Sequence, residues 1–380
     1  MVKRIVLVGA AGISLVAALL LVVMLSTPAS ADASEGLKRV ERLGKALFFD
    51  KNLSLNGNQS CAACHAPEVG WTGPDEAINI GGGVYEGSIP GAFGNRKPPA
   101  AAYAGDSPKL HFNSDTGRWV GGMFWDGRAT GDRLGDPLAE QAQGPFLNPA
   151  EQALPNAQAV VDRVLASDYK DLFLKVCTDQ SSYYDCIGRS IAAYERSSEV
   201  GAFTSKYDYW LKGKAQLTRQ EKLGLKLFNG KAKCANCHVE PLFTDFTYDN
   251  LGIPKNPANP VYARDPGFVD PGLGGYLKSA GYSASVYQKE MGKFKVPTLR
   301  NVDKRPSDGL VKAYGHNGYF KSLEEIVHFY NTRDVGSAKW PKPEMRKNMN
   351  KTEVGNLGLS AAEEQALVAF LKTLSDGYKP

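Results

Sequence analysis

The sequence predicts a mainly α-helical fold of two related domains joined by long ordered loops, and three observations lead to this prediction. Strand-like alternation of apolar and polar residues is scarce along the chain. A helix-like segment followed by Cys-x-x-Cys-His occurs twice, after residues 41–50 and after residues 221–230. With 40 glycines and 22 prolines, the chain is too rich in these residues for helices throughout, so we expect extended loops, above all over 66–122.

The composition is that of a globular protein and excludes several classes. The 380 residues are enough for about two domains of roughly 150 residues each. A charged fraction of 22% beside a hydrophobic fraction of 43% argues against a disordered chain. The net charge of +5 is mild and no basic run accompanies it, so we expect no nucleic-acid partner.

Residues 1–31 have the pattern of a secretory signal peptide. Basic residues precede an apolar run over 5–25, and an Ala-x-Ala cleavage site ends at Ala31. We therefore expect cleavage after Ala31 and export to the periplasm. The apolar run of 21 residues is also long enough to span a bilayer, so an uncleaved membrane anchor is the alternative.

The repeat divides the remaining chain into an N-terminal domain, 32–206, and a C-terminal domain, 207–380. The predicted boundary is the polar stretch 207–216, and Thr218 with Glu221 has capping-box spacing for the helix that follows. Further helices are predicted in four places: 137–143, 157–166, 188–199 and 359–371.

The cysteines carry most of the chemical information. Cys-x-x-Cys-His in an exported chain is the attachment pattern of c-type haem, because two thiols can form thioethers to one porphyrin while the adjacent imidazole binds the iron. The predicted haem-binding residues are Cys61, Cys64, His65, Cys234, Cys237 and His238. One zinc ion shared by the four thiols is the alternative, but it leaves both histidines unexplained.

The two remaining cysteines, Cys177 and Cys186, are predicted to form a local disulfide. Export favours oxidised thiols, and the two residues are close in sequence. Closing so short a loop would stabilise the fold by about 2–3 kcal/mol.

Several motifs in a fixed order resemble the bacterial di-haem cytochrome c peroxidase and MauG family, and its MauG-like branch most of all. Besides the two Cys-x-x-Cys-His sites, they are the segments 124–129, 141–151, 296–302 and 316–330. The resemblance implies two cytochrome c-like domains, each with one covalently attached haem. The N-terminal haem is similar to the family's peroxidatic one, and the C-terminal haem to its electron-transfer one.

The resemblance also implies four catalytic residues. Glu151 matches the acid that moves a proton on hydrogen peroxide, Trp125 matches the tryptophan between the haems, and Gln141 and Pro145 match residues that shape the peroxide pocket. From the residues alone two alternatives stay open. Asn148 and Glu151 would fit the N-cap and third position of a helix, and Trp125 an ordinary core aromatic.

The predicted axial ligands of the irons are His65, His238 and, on the second haem, Tyr330. A tyrosine at this position resembles the MauG-like branch, whereas a methionine is typical of the peroxidases. The spacing of Leu323, Val327 and Tyr330 equally fits a core-facing helix, so plain packing is the alternative. The rival ligands are His316, His328, Met291, Met345 and Met349.

Two departures from the family pattern affect the metal sites. The segment 80–84 lacks the histidine that caps the first iron in many peroxidases, and His111 does not match it, so we expect an open first iron. Lys97 stands where the family has a calcium-binding asparagine, and a lysine side chain donates no oxygen. Calcium is therefore a doubtful cofactor, unless neighbouring carbonyls bind it; otherwise the Lys97 ammonium could replace its charge.

The sequence thus predicts an exported di-haem oxidoreductase that uses hydrogen peroxide and takes electrons from a protein donor by long-range transfer. The donor would be a small cytochrome c, a cupredoxin or a partner protein that becomes modified. A conventional cytochrome c peroxidase is the alternative of the same class. A non-catalytic electron-transfer cytochrome is the alternative of another class, and it predicts no response to peroxide.

Overall fold

The structure is a computed structural model that describes residues 36–380, and over this range the chain is mainly helical, as predicted. The predicted signal segment, 1–31, lies outside the described residues. None of the helices within 36–380 is both long enough and apolar enough to cross a membrane.

The helices are distributed along the whole described chain. Up to residue 205 they are α1 (Arg39–Phe49), α2 (Cys61–Cys64), α3 (Glu76–Ile80), α4 (Pro137–Leu147), α5 (Ala157–Leu165), α6 (Lys170–Val176) and α7 (Tyr183–Glu195). After it they are α8 (Lys206–Leu211), α9 (Arg219–Phe228), α10 (Pro260–Arg264), α11 (Gly272–Ser279), α12 (Ala284–Tyr287), α13 (Leu323–Thr332) and α14 (Ala361–Lys372).

Two small antiparallel sheets complete the secondary structure of the described residues. Strands β1 (His111–Asn113) and β2 (Arg118–Val120) form one pair, and β3 (Tyr248–Asp249) and β4 (Phe294–Lys295) form the other. The first hairpin and helix α3 interrupt the segment that was predicted to be loop throughout, 66–122.

Most predicted helices are confirmed to within a few residues, and two expectations differ from the structure. The helix predicted over 188–199 begins and ends earlier, as α7, because its first turn is polar and two serines follow its end. The predicted boundary stretch contains helix α8, whose Tyr207 is buried. The capping box of Thr218 and Glu221 is confirmed at the start of α9.

The apolar residues form two main clusters that follow the order of the chain. One is built from buried residues within 37–200 together with Leu242, and the other from buried residues within 207–374. Cys61 packs against the former and Cys234 against the latter. Residues 37–380 nevertheless form one compact unit, so the division into domains at 206/207 stays a prediction.

In each half of the chain, the helix that precedes Cys-x-x-Cys-His crosses another helix at a glycine. A Cβ atom on Gly44 of α1 would lie 1.9 Å from the Ser190 carbonyl oxygen of α7. A Cβ atom on Gly224 of α9 would lie 1.9 Å from the Ala366 carbonyl oxygen of α14. The sequence repeat is therefore also a repeat of one close backbone contact.

Lysine ammonium groups from the later half connect the two halves through backbone carbonyls. Lys312 Nζ donates to three of them, at 2.9, 3.3 and 2.9 Å, those of Val69, Asn301 and Lys304. Lys321 Nζ also donates to three, at 2.7, 2.8 and 2.6 Å, those of Asn79, Gly81 and Gly318. Since an ammonium has three N–H donors, both cations are fully hydrogen-bonded.

We expect Gly44→Ala and Gly224→Ala to destabilise the protein, each by about 1–3 kcal/mol, because the added methyl group would force the crossing helices apart. Alanine normally stabilises a helix interior relative to glycine, so a decrease in the free energy of unfolding would itself indicate the close helix crossing. The measurement is the free energy of unfolding in denaturant. The matched control is Gly309→Ala, where a Cβ atom has no neighbour within 4 Å; losses no larger than the control's would contradict the role of these crossings.

Candidate functional site

Each Cys-x-x-Cys-His sequence lines a large cavity. The first cavity, beside Cys61, has about 1260 Å³ of empty space, and the second cavity, beside Cys234, has about 1840 Å³, part of it open to solvent. Each has room for a large flat cofactor.

All the residues predicted for the first site line the first cavity: Cys61, Cys64, His65, Trp125, Gln141, Pro145 and Glu151. Cys61 and Cys64 begin and end the single helical turn α2, so their side chains project from the same side. Gln141 and Pro145 are four residues apart on α4 and share a face in the same way. The local geometry thus brings the predicted binding and catalytic groups together.

The residues predicted for the second site line the second cavity: Trp125, Cys234, Cys237, His238 and Tyr330. A short 3₁₀ turn begins at Cys234, and the His238 N–H donates to the Cys234 carbonyl oxygen at 2.9 Å. The His65 N–H donates to the Cys61 carbonyl oxygen at 3.0 Å in the same manner. The two Cys-x-x-Cys-His turns therefore have matching backbone hydrogen bonds.

The two histidines are oriented alike. Nδ1 of His65 lies 3.2 Å from the Trp71 carbonyl oxygen, and Nδ1 of His238 lies 2.9 Å from that of Phe243. A carbonyl only accepts, so Nδ1 carries the proton and the Nε2 lone pair is free to bind a metal. Burial lowers the pKa of His65 to about 4 and also lowers the pKa of His238, which keeps both rings neutral.

The donor set in each cavity fits a c-type haem. All four cysteines have free thiols, and burial raises their pKa values, so they stay protonated. The alternative of one zinc ion shared by the four thiols is wrong, because the two pairs line different cavities. Among the described residues the one cluster with metal-ligand spacing holds a single cysteine, with Cys237, Asp249 and Glu353.

Glu151 is a partly buried acid in the first cavity and not a helix cap. Helix α4 ends at Leu147, and the following residues form a turn in which the Glu151 N–H donates to the Asn148 carbonyl oxygen. The helix predicted by the alternative interpretation is therefore absent here. Burial raises the pKa of Glu151, against the opposing effects of Arg128 and of a 2.8 Å hydrogen bond from Asn148 Nδ2.

Trp125 lies in the wall that the two cavities share. It lines both of them, as do Lys97, Pro99 and Ala100. Its indole is 9% exposed, and Nε1 donates to the Lys97 carbonyl oxygen at 2.8 Å. The indole is therefore both packed and oriented by a hydrogen bond between the two sites.

Tyr330 reaches the second cavity from helix α13. Burial raises the pKa of its phenol, so the group stays protonated unless a cation binds beside it. Of the rival ligands, His316 and Met345 also line this cavity. The ring of His316 is engaged, since it stacks on Phe294 at 3.5 Å and faces Glu344 at 3.7 Å.

The other rival residues lie away from the second cavity. His328 is half exposed and bonds Glu364 at 3.0 Å, and Met291 and Met349 are not part of the lining. His111 is exposed and does not line either cavity. Tyr330, His316 and Met345 thus remain beside the second cavity, and Tyr330 as the ligand stays a prediction.

Cys177 and Cys186 are joined by a disulfide bond, with their Cα atoms 5.8 Å apart. The bond links the end of α6 to α7, the helix that packs on α1. Neither cysteine lines a cavity, so the bond belongs to the scaffold.

Sequence reasoning missed one acid of the first cavity, Glu195. Burial raises its pKa to about 8. It follows Ile187 and Ile191 at intervals of four residues on α7, so a carboxyl on an apolar helix face was the available signal.

Three lysines line the second cavity, Lys97, Lys295 and Lys312, and sequence reasoning missed the last two. Lys97 and Lys312 are buried, and Lys295 is partly buried. Burial lowers the pKa values of the three to about 8, 7 and 7, respectively. No sequence pattern predicts this burial, because lysine is usually exposed. Lys97 Nζ donates to the Pro98 carbonyl oxygen, and the calcium hypothesis at this position stays a prediction.

Comparisons with known proteins agree with this site. A family model described as di-haem cytochrome c peroxidase matches residues 38–216. The chain is 34% identical over 365 residues to methylamine utilization protein MauG of Paracoccus denitrificans strain Pd 1222, covering 89% of each chain. It is 30% identical to cytochrome c551 peroxidase of Nitrosomonas europaea, covering 92% of this chain and 81% of that protein.

A solved structure is similar over most of the chain as well. The di-haem peroxidase BthA from Burkholderia thailandensis E264 has a TM-score of 0.75 and 31% identity, covering 89% of this chain and 86% of that one. The relatives and this neighbour share the peroxidase or MauG name. The chain therefore belongs to the di-haem cytochrome c peroxidase and MauG family and is a haem peroxidase, an oxidoreductase.

Proposed function

We propose that this protein is a periplasmic, MauG-like di-haem enzyme that reduces hydrogen peroxide with electrons taken from a protein donor by long-range transfer. The observation that carries the proposal is the position of Trp125 in the wall between two cavities, each lined by Cys-x-x-Cys-His. Reduction of one peroxide to two waters consumes two electrons and two protons. The electrons come from the donor and the protons from solvent.

The chain's own residues would attach and orient the cofactors. Cys61 and Cys64 would form the thioethers in the first cavity and His65 would bind iron through Nε2. Cys234, Cys237 and His238 would do the same in the second cavity. When bound, haem supplies an iron that exchanges electrons with peroxide and with the donor.

Glu151 would handle protons in the first cavity. A carboxylate there can take a proton from hydrogen peroxide and return it to the leaving oxygen, provided that its pKa is close to the working pH. Burial moves the pKa of Glu151 in that direction. Gln141 and Pro145, on the neighbouring face of α4, would shape the space around the acid.

The second cavity would store and pass on charge. Tyr330 would hold the iron there through its phenol oxygen, and a phenolate would favour oxidised iron because it is a hard anionic donor. Trp125 would connect the two cavities, since an indole shared by both walls shortens the distance that an electron must cross. The donor would be a small cytochrome c, a cupredoxin or a partner protein that becomes modified.

A conventional cytochrome c peroxidase is the second candidate, favoured by the name of the Nitrosomonas europaea relative. The deciding experiment adds one equivalent of hydrogen peroxide to the fully oxidised protein and follows visible and EPR spectra. A rapid change at both haems without prior reduction supports the MauG-like proposal. A change only after one haem is reduced supports the conventional peroxidase, and no change in either state leaves an electron carrier.

We expect each haem to depend on its own cysteine pair. Cys61→Ala with Cys64→Ala should leave one covalent haem per chain, and Cys234→Ala with Cys237→Ala should leave the other one. Mass spectrometry of the intact protein, with the haem absorbance, measures the number attached. Two haems on either double variant would contradict the assignment.

We expect Glu151→Gln to slow the reaction with peroxide by about 10²–10⁴-fold, because an amide cannot accept the proton. The wild-type rate should fall as the pH drops through the raised pKa of Glu151, since the acid form is inactive as a base, and this dependence should vanish in the variant. Stopped-flow absorbance measures both. Glu324→Gln, at an exposed position of α13, is the control. Equal rates for the two variants would show that Glu151 does not transfer the proton.

We expect Trp125→Phe to confine the fast response to the haem in the first cavity. The phenyl ring keeps the packing but is harder to oxidise and loses the hydrogen bond to the Lys97 carbonyl oxygen. Freeze-quench EPR after one equivalent of peroxide separates the two haems. Trp119→Phe, a buried tryptophan of β2 that lines neither cavity, is the control. An unchanged response in Trp125→Phe would mean that electrons pass between the two cavities by a route that does not include Trp125.

A further inference from the structure

Lys97 is a buried cation with an incomplete set of partners. Its side chain is 9% exposed, and the Nζ atom donates to a single acceptor, the Pro98 carbonyl oxygen at 2.8 Å. Within residues 36–380 no carboxylate lies within ion-pair distance of it. An ammonium has three donors, and a buried charge without partners is costly.

Two other lysines at this junction, the buried Lys312 and the partly buried Lys321, have complete sets of hydrogen-bond partners. Each donates to three backbone carbonyls. Arg96, the residue before Lys97, occupies two carboxylates, since it pairs with Asp126 at 2.6 Å and with Asp270 at 2.7 Å. Lys97 therefore has two donors left for a partner that the polypeptide itself does not provide.

The position of Lys97 limits what that partner can be. The residue lines both cavities and forms part of the wall between them. Its backbone is fixed on both sides, because its N–H donates to the His316 carbonyl oxygen at 2.8 Å and its carbonyl oxygen accepts from Trp125 Nε1. The side chain thus starts from a fixed point between the two sites.

A buried ammonium is best matched by an anion with oxygen acceptors. Haem carries two carboxylate side chains. Of the other lysines in the lining of the second cavity, Lys312 already donates to three backbone carbonyls, and Lys295 donates to the Ser107 hydroxyl and the Gly122 carbonyl oxygen. Burial lowers the pKa of Lys97 to about 8, and a bound carboxylate would restore a firmly charged ammonium.

We propose that Lys97 is the residue that binds haem carboxylates in the wall between the two cavities, one cation serving both sites. This inference rests on the proposed function, because it needs a haem in each cavity. A positive charge shared by both sites favours the reduced state of each iron. Removing it should therefore lower the reduction potentials of both haems together.

The test is a spectroelectrochemical titration of the purified di-haem protein, with wild type beside Lys97→Met and Lys97→Arg. Methionine has a similar length without the charge, and arginine keeps the charge. For Lys97→Met we expect the equilibrium constant for reduction to fall by about tenfold at both haems, which is ~59 mV for a one-electron couple. Lys97→Arg should stay close to wild type.

The matched control is Lys321→Met, which removes a partly buried ammonium that lines neither cavity. It should leave both potentials unchanged, whatever it does to the unfolding temperature. If Lys97→Met fails to accumulate with two haems, the neutral and polar Lys97→Gln is measured in its place. Haem content is determined first: wild-type protein without two haems contradicts the proposed function, whereas two haems with unchanged potentials contradict only this inference.

Three results would overturn the inference in protein that holds both haems. Unchanged potentials in Lys97→Met would mean that no haem carboxylate depends on the charge. A shift in the reduction potential of one haem alone would show that Lys97 does not serve both sites. Wild-type potentials that respond to added chloride or phosphate, with the response lost in Lys97→Met, would identify a free anion as the partner.

Discussion

The close crossing of two helix backbones at a glycine is the constraint on which both cavities depend. Gly44 lets α1 approach α7, and Gly224 lets α9 approach α14, to the same distance. In each half the crossing helix is the α-helix that precedes the Cys-x-x-Cys-His turn, separated from it by 50–60 in one half and by 229–233 in the other. The helix before each turn is therefore held by a backbone contact that tolerates no side chain, and α7 also carries Glu195 into the first cavity.

The residues of the wall between the cavities connect the two halves of the chain. Trp125 and Lys97 each line both cavities, and one hydrogen bond joins the indole to the lysine backbone. Lys312 and Lys321 tie the surrounding loops together through carbonyls. Because Trp125 and Lys97 line both cavities, a substitution at either residue alters the lining of both.

The sequence predicted the helical class, the repeat and the grouping of site residues, because spacing and motif order carry that information. Its predictions were less accurate for features that depend on which residues become buried. The first turn of α7 is polar and gave no periodic signal, and Asn148 with Glu151 had capping spacing without a helix to cap. The burial of Lys97 depends on loops distant in sequence, which no local pattern encodes.

The matching orientation of His65 and His238 has a consequence for how the two sites differ. Both rings donate Nδ1–H to neutral peptide carbonyls and not to carboxylates. The Nδ1 hydrogen bonds therefore do not distinguish the two imidazoles, whereas their charged neighbours do: beyond the effect of burial, Lys97 lowers the pKa of His65, and Asp245 acts to raise that of His238. Under the proposed function, any further difference between the two sites would come from the acid Glu151 in one cavity and the phenol Tyr330 in the other.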